Sequence, residues 1–312
     1  MLTPTQLLAL REVVATGSLR TAARKLGFTP SAVSQQISSI ERAVGVKLFE
    51  RTPRSVRPTP AGIQLARRAT RLLADLEAAE DEMRSFASAQ RGRLHLGSFW
   101  SAGFKLVPAL LAAFLRDRPD VDIRYQEGDP PVTVPAVLDG RLDLAVVFEY
   151  GTVPHSSWQS DLDLTLLLEE PLYLLLPTGH RLAHRKRVQI SELADERWIC
   201  FLEDTDAARS LFRICAASGF HPDVLFRTND YNLPFELVRK GLGIAIVPEL
   251  AMIESSDVHV IRLADPSHVR RVSAVRRAAD PNPLLDQAIA MLRTAADGVD
   301  QRWLRAELPV AL

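Results

Sequence analysis

Over the first ninety residues the apolar positions recur at helical spacing; beyond them, short apolar runs alternate with amphipathic ones. Thr3-Pro4, Thr29-Pro30 and Thr59-Pro60 each set a threonine N-cap before a proline, whose missing N–H costs nothing at the first helical position. The first helix is predicted to bury Leu7, Leu10, Val13 and Val14 and to stop at Gly17. Ser18 caps a second, with Leu19, Ala22, Ala23 and Leu26 on one stripe and Gly27 where a left-handed residue is wanted. A third, over 31–44, turns Val33, Ile37, Ile40 and Val44 to the core. At about 100° per residue its opposite face carries Ser31, Gln35, Ser38 and Arg42, with Ser34 on the flank. Leu48-Phe49-Glu50-Arg51, a turn over 52–55 and Val56-Arg57 then read as a hairpin.

From Thr59 the helical pattern runs on to about residue 89. Leu65, Ala69, Leu72, Leu76, Ala79, Met83 and Phe86 recur at spacings of 4 and 3, flanked by Arg67, Arg68, Arg71, Asp75, Glu80 and Glu82. So narrow a heptad seam fits a helix pair; a helix lying on its own domain, the alternative, usually shows a wider stripe. Arg91-Gly92-Arg93 ends it. Next come strand 94–97, helix 106–116, strand 121–126, helix 134–138 and strand 142–148, an order that predicts a parallel sheet with helices on its faces. A second set predicts strands 164–168, 172–176 and 198–201, helix 207–217, strand 224–228, helix 233–240 and strand 243–247. A strand near 272–276 and a helix over 284–295 would return to the first set. Two α/β lobes with crossing chains leave a cleft, and such sheets take ligands at the carboxyl ends of their strands.

Charge divides the chain where the pattern does. Residues 1–60 hold nine Arg/Lys against three acids while the whole chain is neutral, so a net +6 head joins a −6 body. A basic head carrying two short helices across a glycine turn, with a basic hairpin beside them, predicts a helix laid in the major groove of double-stranded DNA. The hairpin would add salt-dependent backbone affinity. Two cysteines cannot build a disulfide framework. The N-terminus has no signal pattern and no apolar run reaches the roughly 20 residues of a membrane span, so a cytoplasmic location is expected.

The head carries a resemblance. Ala22-Ala23, Leu26, Ala32-Val33-Ser34-Gln35-Gln36-Ile37, Ile40-Glu41, Gly45, Leu48-Phe49-Glu50-Arg51 and Thr59-Pro60-Ala61-Gly62 resemble the N-terminal domain of LysR-type transcriptional regulators. The resemblance implies that the third helix reads DNA through Pro30, Ser31, Ser34 and Gln35, with Arg51 and Arg54 in the wing; Ser38 shares the same polar face. Many members carry arginine where Gln35 stands, so base preference does not transfer. The family's linker helix, which dimerises, stands where the heptad seam is. The body resembles the family's effector domain, built like a periplasmic binding protein. The matching pieces are Leu96-Gly97, Leu106-Val107-Pro108, Gly140-Arg141-Leu142-Asp143-Leu144-Ala145, Glu170-Pro171-Leu172, Pro177-Thr178-Gly179-His180 and the run from Val238 to Pro248.

At the strand ends the effector candidates are Ser98, Phe99, Trp100, Ser101, Gly128, Asp129, Glu149, Tyr150, Phe201, Thr228 and Asn229. Family members hold anionic effectors at the first of these stretches. Here Asp129, Glu149, Glu203 and Asp204 near the opening argue against a small acidic ligand, and Trp100 and Tyr150 either stack on a flat or amine-bearing ligand or close the cleft.

Other chemistry is declined. His180 and His184 lack a third zinc ligand and are flanked by cations, which reads as a solvated loop. Gly241-Leu242-Gly243 lacks the rest of a phosphate loop, and no nucleophile elbow appears. In the family's peroxide-sensing branch the reactive cysteine stands where this chain has Asp206, Ala207 and Ala208; Cys200 and Cys215 read as buried, inert thiols.

The expectation is a non-enzymatic, sequence-specific transcriptional regulator without metal or cofactor. Its fold class is α/β with an all-α-plus-wing head: a winged helix-turn-helix domain over 1–59, a linker helix over 60–90 and a two-lobed effector domain over 91–312. Lobe I spans about 91–160 and 266–296, and lobe II about 161–265. Its partners would be double-stranded DNA, a small-molecule effector, itself as homodimer and homotetramer, and RNA polymerase. The main rival is a solute-binding module or enzyme that carries a helix-turn-helix, which would need a nucleophile–base or metal set in the cleft that is not found; a ligand-independent DNA-binding protein, its cleft plugged by Trp100 and Phe201, is a third possibility. The tail over 297–312, with Trp303 and Leu304, has no account.

Overall fold

The computed structural model describes residues 2–52, 55–87, 92–151, 161–253, 257–278 and 280–299. The chain divides into two compact units, Met1–Arg93 with Pro135–Leu142, and Leu94–Val134 with Asp143–Leu312.

In the first unit, helices α1 (Pro4–Thr16), α2 (Leu19–Leu26) and α3 (Pro30–Val44) all open on a hydroxyl cap and close on a left-handed glycine. Thr3 Oγ1 accepts from Gln6 N at 3.4 Å while Gln6 Oε1 accepts from Thr3 N at 2.9 Å, a reciprocal box. Gly17, Gly27 and Gly45 sit at φ 63°, 69° and 73°, where a side chain would be strained. Leu7, Leu10, Val13, Ala22, Ala23, Val33, Ile37 and Ile40 form the core. Val44 departs from expectation and is exposed. The helix ends there, and Leu48 and Phe49 of the following hairpin fill the core instead.

That hairpin pairs β1 (Phe49–Thr52) with β2 (Ser55–Pro58). It is pinned by a buried carboxylate: Glu41 Oε1 accepts from Leu48 N at 2.9 Å and Phe49 N at 3.3 Å, and Oε2 meets Lys47 Nζ at 3.1 Å. Burial opposes the charge, but these three donors outweigh it and lower the Glu41 pKa. Thr59 Oγ1 donates to Lys47 O at 2.9 Å and accepts from Gly62 N at 3.1 Å, which couples the hairpin to helix α4 (Pro60–Ala87).

Helix α4 carries two apolar faces. Ala66, Ala69 and Leu73 join the head core, so Ala69 belongs there rather than to a free seam. Leu72, Leu76 and Met83 stand 55%, 42% and 58% exposed. The side chain of Phe86 lies outside the described residues.

The second unit is built on one sheet, in the order β4 (Asp122–Glu127), β3 (Arg93–Ser98), β5 (Leu144–Tyr150), β12 (Val269–Arg277), β6 (Leu162–Pro177), β11 (Val258–Leu263) and β7 (Arg187–Val188). β10 (Ala245–Pro248) also pairs with β6, and β8 (Arg197–Cys200) forms a separate pair with β9 (Asp223–Arg227). Helices α5 (Trp100–Lys105), α6 (Val107–Asp117), α8 (Asp206–Ala217), α9 (Leu233–Arg239) and α10 (Leu284–Asp297) intervene, and α7 (Pro130–Leu138) is divided between the residues of the two units.

The helix expected over 106–116 stands as α6, with the short α5 before it. Two expectations are corrected. The sheet is mixed, because β3 and β5 are parallel while β12 joins β5 and β6 antiparallel. The two strands 164–168 and 172–176 are one strand of 16 residues. Its first part pairs with β12, and its residues 172–177 pair with β10 and β11. Glu169-Glu170-Pro171 mimics a turn in the sequence, yet it lies inside this continuous strand.

Gly62 gives a local test of the head. A Cβ there would lie 2.2 Å from the Leu48 carbonyl oxygen, a backbone atom that cannot swing aside. Gly62→Ala should destabilise the head by roughly 1–3 kcal/mol, as overpacking does, in denaturant unfolding of the full chain; an unchanged midpoint would contradict this close approach.

Candidate functional site

The exposed face of α3 gathers the first set of candidates. Pro30, Ser31 and Gln35 are exposed, and Ser34 and Ser38 are half-buried beside them. Ser31 Oγ lies 3.0 Å from Thr29 Oγ1, and Arg42 Nε donates to Ser38 O at 3.4 Å. α3 has no acidic residue in its first turn, and its polar face offers hydroxyl and amide groups. Arg20 and Arg24 of α2 are also exposed, as is Arg57 on β2, opposite Glu50. The side chain of Arg51 and all of Arg54 lie outside the described residues.

The second set converges on an arginine that was not among the candidates. Arg270 on β12 is fully buried. Its Nε donates to Glu170 Oε1 at 2.6 Å and its Nη2 to Ser101 Oγ at 2.9 Å. The rings of Phe99 and Phe148 lie 4.8 and 5.2 Å from its guanidinium carbon. Nη1 has no hydrogen-bond partner among the described residues. Burial alone would lower the Arg270 pKa, but Glu170 and the Tyr150 and Tyr231 hydroxyls together raise it, so the charge stays. Glu170 is equally buried. Burial pushes its carboxyl up, and Arg270 with the Leu250 N–H, which donates to Oε2 at 2.6 Å, acts against that rise. Burial also pushes the Tyr150 phenol up, with Arg270 acting against it.

An aromatic stack lies beside this pair. Trp100 stacks on Tyr231 at 4.9 Å and on Phe104 at 5.5 Å, and Phe201 packs on Tyr231 at 4.8 Å. Trp100 comes from α5 and Tyr231 from the loop between β9 and α9, so the stack joins that helix to that loop. Asp129 is accessible, yet the surrounding protein desolvates it enough to raise its pKa, against the pull of Arg270.

Phe99, Trp100, Ser101, Tyr150 and Phe201 are thus gathered around Arg270 and Tyr231. Ser98 Oγ bonds Tyr125 Oη at 3.0 Å, and Gly103 leaves room for that hydroxyl: a Cβ there would lie 2.2 Å from it. Gly128 N donates to Ser98 O. Strand alternation puts Glu149 on the opposite face of β5 from Phe148 and Tyr150. Thr228 is buried, its Oγ1 accepting from Asp230 N at 2.9 Å, and Asn229 is exposed. Arg270, Glu170 and Tyr231 were missed. The one available signal was phase: Arg270 shares a strand face with Val272 and Ala274, an arginine where the period calls for an apolar residue.

Two family models cover the chain. Residues 4–63 match the bacterial regulatory helix-turn-helix protein, lysR family, and residues 87–297 match the LysR substrate binding domain. The chain belongs to the LysR family. Members of this family are DNA-binding transcriptional regulators, not enzymes, and this chain has both their helix-turn-helix and their substrate-binding domain. Among curated LysR-family relatives, the small neutral protease regulatory protein of Streptomyces coelicolor is 34% identical over 278 residues, 87% of this chain and 81% of that one. The transcriptional dual regulator GltC of Bacillus subtilis is 27% identical over 233 residues, 75% of this chain and 76% of that one. Among solved structures, a full-length OxyR variant from Pseudomonas aeruginosa has a TM-score of 0.67 at 21% identity, covering 95% of both chains. The LysR-family regulator CbnR in complex with its target DNA has a TM-score of 0.60 at 21% identity, covering 94% of this chain and 99% of that one. At such identity these two structures show a shared fold.

Other groups of this LysR-family chain have structural explanations. Burial pushes the Cys200 thiol up to about 11 and the Cys215 thiol up to about 12, so neither is a thiolate at neutral pH. His180 departs from the solvated loop expected of it: Nδ1 accepts from Leu182 N at 3.2 Å, and Nε2 lies 3.1 Å from Glu196 Oε1. No helix among the described residues is long and apolar enough to cross a membrane.

Glu249, in the turn after β10, gives a test by pH. Its Oε1 is buried without a hydrogen-bond partner among the described residues. Burial, and then the charge of Glu170, push its pKa up to about 7, with Arg262 pulling the other way. The folded chain therefore holds this proton more tightly than the unfolded one. The stability due to Glu249 is full below about 4.5, falls as pH rises towards 7 and is flat above. Glu249→Gln should remove that fall and unfold later than the wild type at pH 8, by on the order of 1–3 kcal/mol; parallel pH profiles of the two proteins in thermal unfolding would contradict it.

Proposed function

We propose that this LysR-family regulator reads a spaced, roughly symmetric DNA site as a homodimer, assembled further into a homotetramer, under the control of a small molecule held between the two lobes of its substrate-binding domain. The lobes correspond to about 91–160 with 266–296 and to about 161–265. The observation that carries the effector half of this reading is Arg270, a fully buried guanidinium with an unsatisfied donor where the lobes meet. Phe99, Ser101 and Tyr150 lie against it and Trp100 and Phe201 stack on Tyr231 beside it, with Ser98, Gly128, Asp129, Thr228 and Asn229 taken as further effector contacts.

For the DNA half, Pro30, Ser31, Ser34, Gln35 and Ser38 face the groove, and Arg51 and Arg54 track the backbone from the wing. Dimerisation is assigned to the exposed row Leu72, Leu76 and Met83 on α4, whose spacing continues a heptad seam. Such a regulator works in the cytoplasm and acts on RNA polymerase at its promoter.

The stack of Trp100, Tyr231 and Phe201 favours a second reading, in which the closed cleft binds nothing and the protein regulates without a ligand. That reading requires that no metabolite shift the unfolding of the full chain.

On the DNA half, Ser34→Ala and Gln35→Ala should change which operator bases are preferred in a competition binding assay. The logarithm of the wild-type affinity should fall linearly with log salt, with a slope of about −0.9 per phosphate contact; unchanged preference removes the helix assignment, and a flat salt response removes the basic-head argument. For assembly, Leu76→Glu should shift the protein towards monomer in sedimentation and weaken binding to paired half-sites far more than to a single one.

A further inference from the structure

We infer that Phe28, in the turn between α2 and α3, reads a thymine in each half-site by packing its ring on the 5-methyl group. The inference rests on the DNA-reading role of α3 and names one further residue that sets its specificity.

Phe28 is exposed where an apolar residue is ordinarily covered. Gly27 closes α2 in the left-handed region at φ 69°, and Phe28 N donates to Ala23 O at 2.9 Å. That bond puts Phe28 where a side chain packs back on the end of α2. Its place just before the Thr29 cap is also where a side chain packs forward on the first turn of α3. Neither partner is suited to cover a large ring: Ala23 ends at a single methyl group, and Val33 is turned into the head core. Phe28 stays 43% exposed, whereas Phe49 on the hairpin is 4% exposed. The two caps thus explain an apolar residue at this position, but not the open part of a phenyl ring.

The surroundings point to nucleic acid as what covers it. From Val13 to Ile40 the sequence holds no acid and three cations, Arg20, Arg24 and Lys25. Lys25 meets Glu12 at 3.5 Å, while Arg20 and Arg24 are exposed on α2. Exposure is continuous from Gly27 to Ser31, so the ring and the first residues of α3 share one open stretch. Helix-turn-helix domains lay the N-terminal residues of the second helix against base edges, which brings the residue just before that helix to the same place. A phenyl ring has no donor or acceptor to offer there. The apolar group that a base pair presents in the major groove is the thymine methyl. Ser31, Ser34 and Gln35 supply hydrogen bonds, and Phe28 adds contact with a group that hydrogen bonds cannot read.

The test starts from duplexes that the full chain selects out of a random library. The thymines of a half-site are replaced one at a time by deoxyuridine, which removes the methyl group and keeps every hydrogen-bonding group. Affinity is read by fluorescence anisotropy for the wild type and Phe28→Ala. At one thymine the replacement should weaken wild-type binding about fourfold, the worth of one buried methyl group, and leave Phe28→Ala unaffected. The slope of log affinity against log salt should be the same for both proteins, because no phosphate contact is lost. If Phe28→Ala does not fold, Phe28→Gln takes its place. A wild type indifferent to every deoxyuridine overturns the inference, as does a methyl effect that persists in the variant. An equal loss on thymine and deoxyuridine duplexes makes the ring a sugar or backbone contact and overturns it too. These outcomes leave the role of α3 standing; a library that yields no preferred sequence overturns both.

Discussion

The second unit depends on one ion pair with nowhere else to go. Arg270 and Glu170 are both buried, and removing one partner would leave the other as an uncompensated charge, typically a loss of about 3–5 kcal/mol. The pair therefore fixes whatever carries it. Glu170 lies where β6 passes from β12 to β10 and β11, and its second oxygen takes the Leu250 N–H after β10. Arg270 holds Ser101 at the start of α5. The pair thus ties two strands, a helix and a turn, and the aromatic stack lies beside it.

The head uses the same physics on a smaller scale. Glu41 is a buried carboxylate whose partners are mostly backbone N–H groups, and it sets the hairpin against α3. A carboxylate that accepts backbone donors fixes a chain path rather than a side-chain contact, which is what a wing needs if it is to keep its place beside a recognition helix. Gly62 makes the complementary demand from the other side, admitting the Leu48 carbonyl where no side chain fits. Both features lie within the run that resembles the family, so the likeness marks residues that shape the backbone as much as residues that face outward.

What could be read from the sequence follows the range of the interactions. The three head helices are set by caps, glycines and i, i+3, i+4 stripes, all local, and their bounds fall within a residue of expectation. Val44 misleads because its stripe position is right but the core place is taken by Phe49, five residues on. β6 misleads for the opposite reason. Glu169-Glu170-Pro171 looks like a break until its partner, a hundred residues away in the chain, is known. Arg270 and Tyr231 were hidden in the same way, one in the wrong phase of a strand and one in a loop.

The stack of Trp100 on Tyr231 gives the site its direction. It joins α5 to the loop before α9, and it lies beside Arg270, whose field reaches Tyr231. A ligand cannot favour one arrangement of these elements unless it makes different contacts in each. The stack supplies that difference: Trp100 comes from α5, Tyr231 from the loop before α9 and Phe201 from the loop after β8, so a molecule that parts the rings meets different neighbours from one that leaves them stacked.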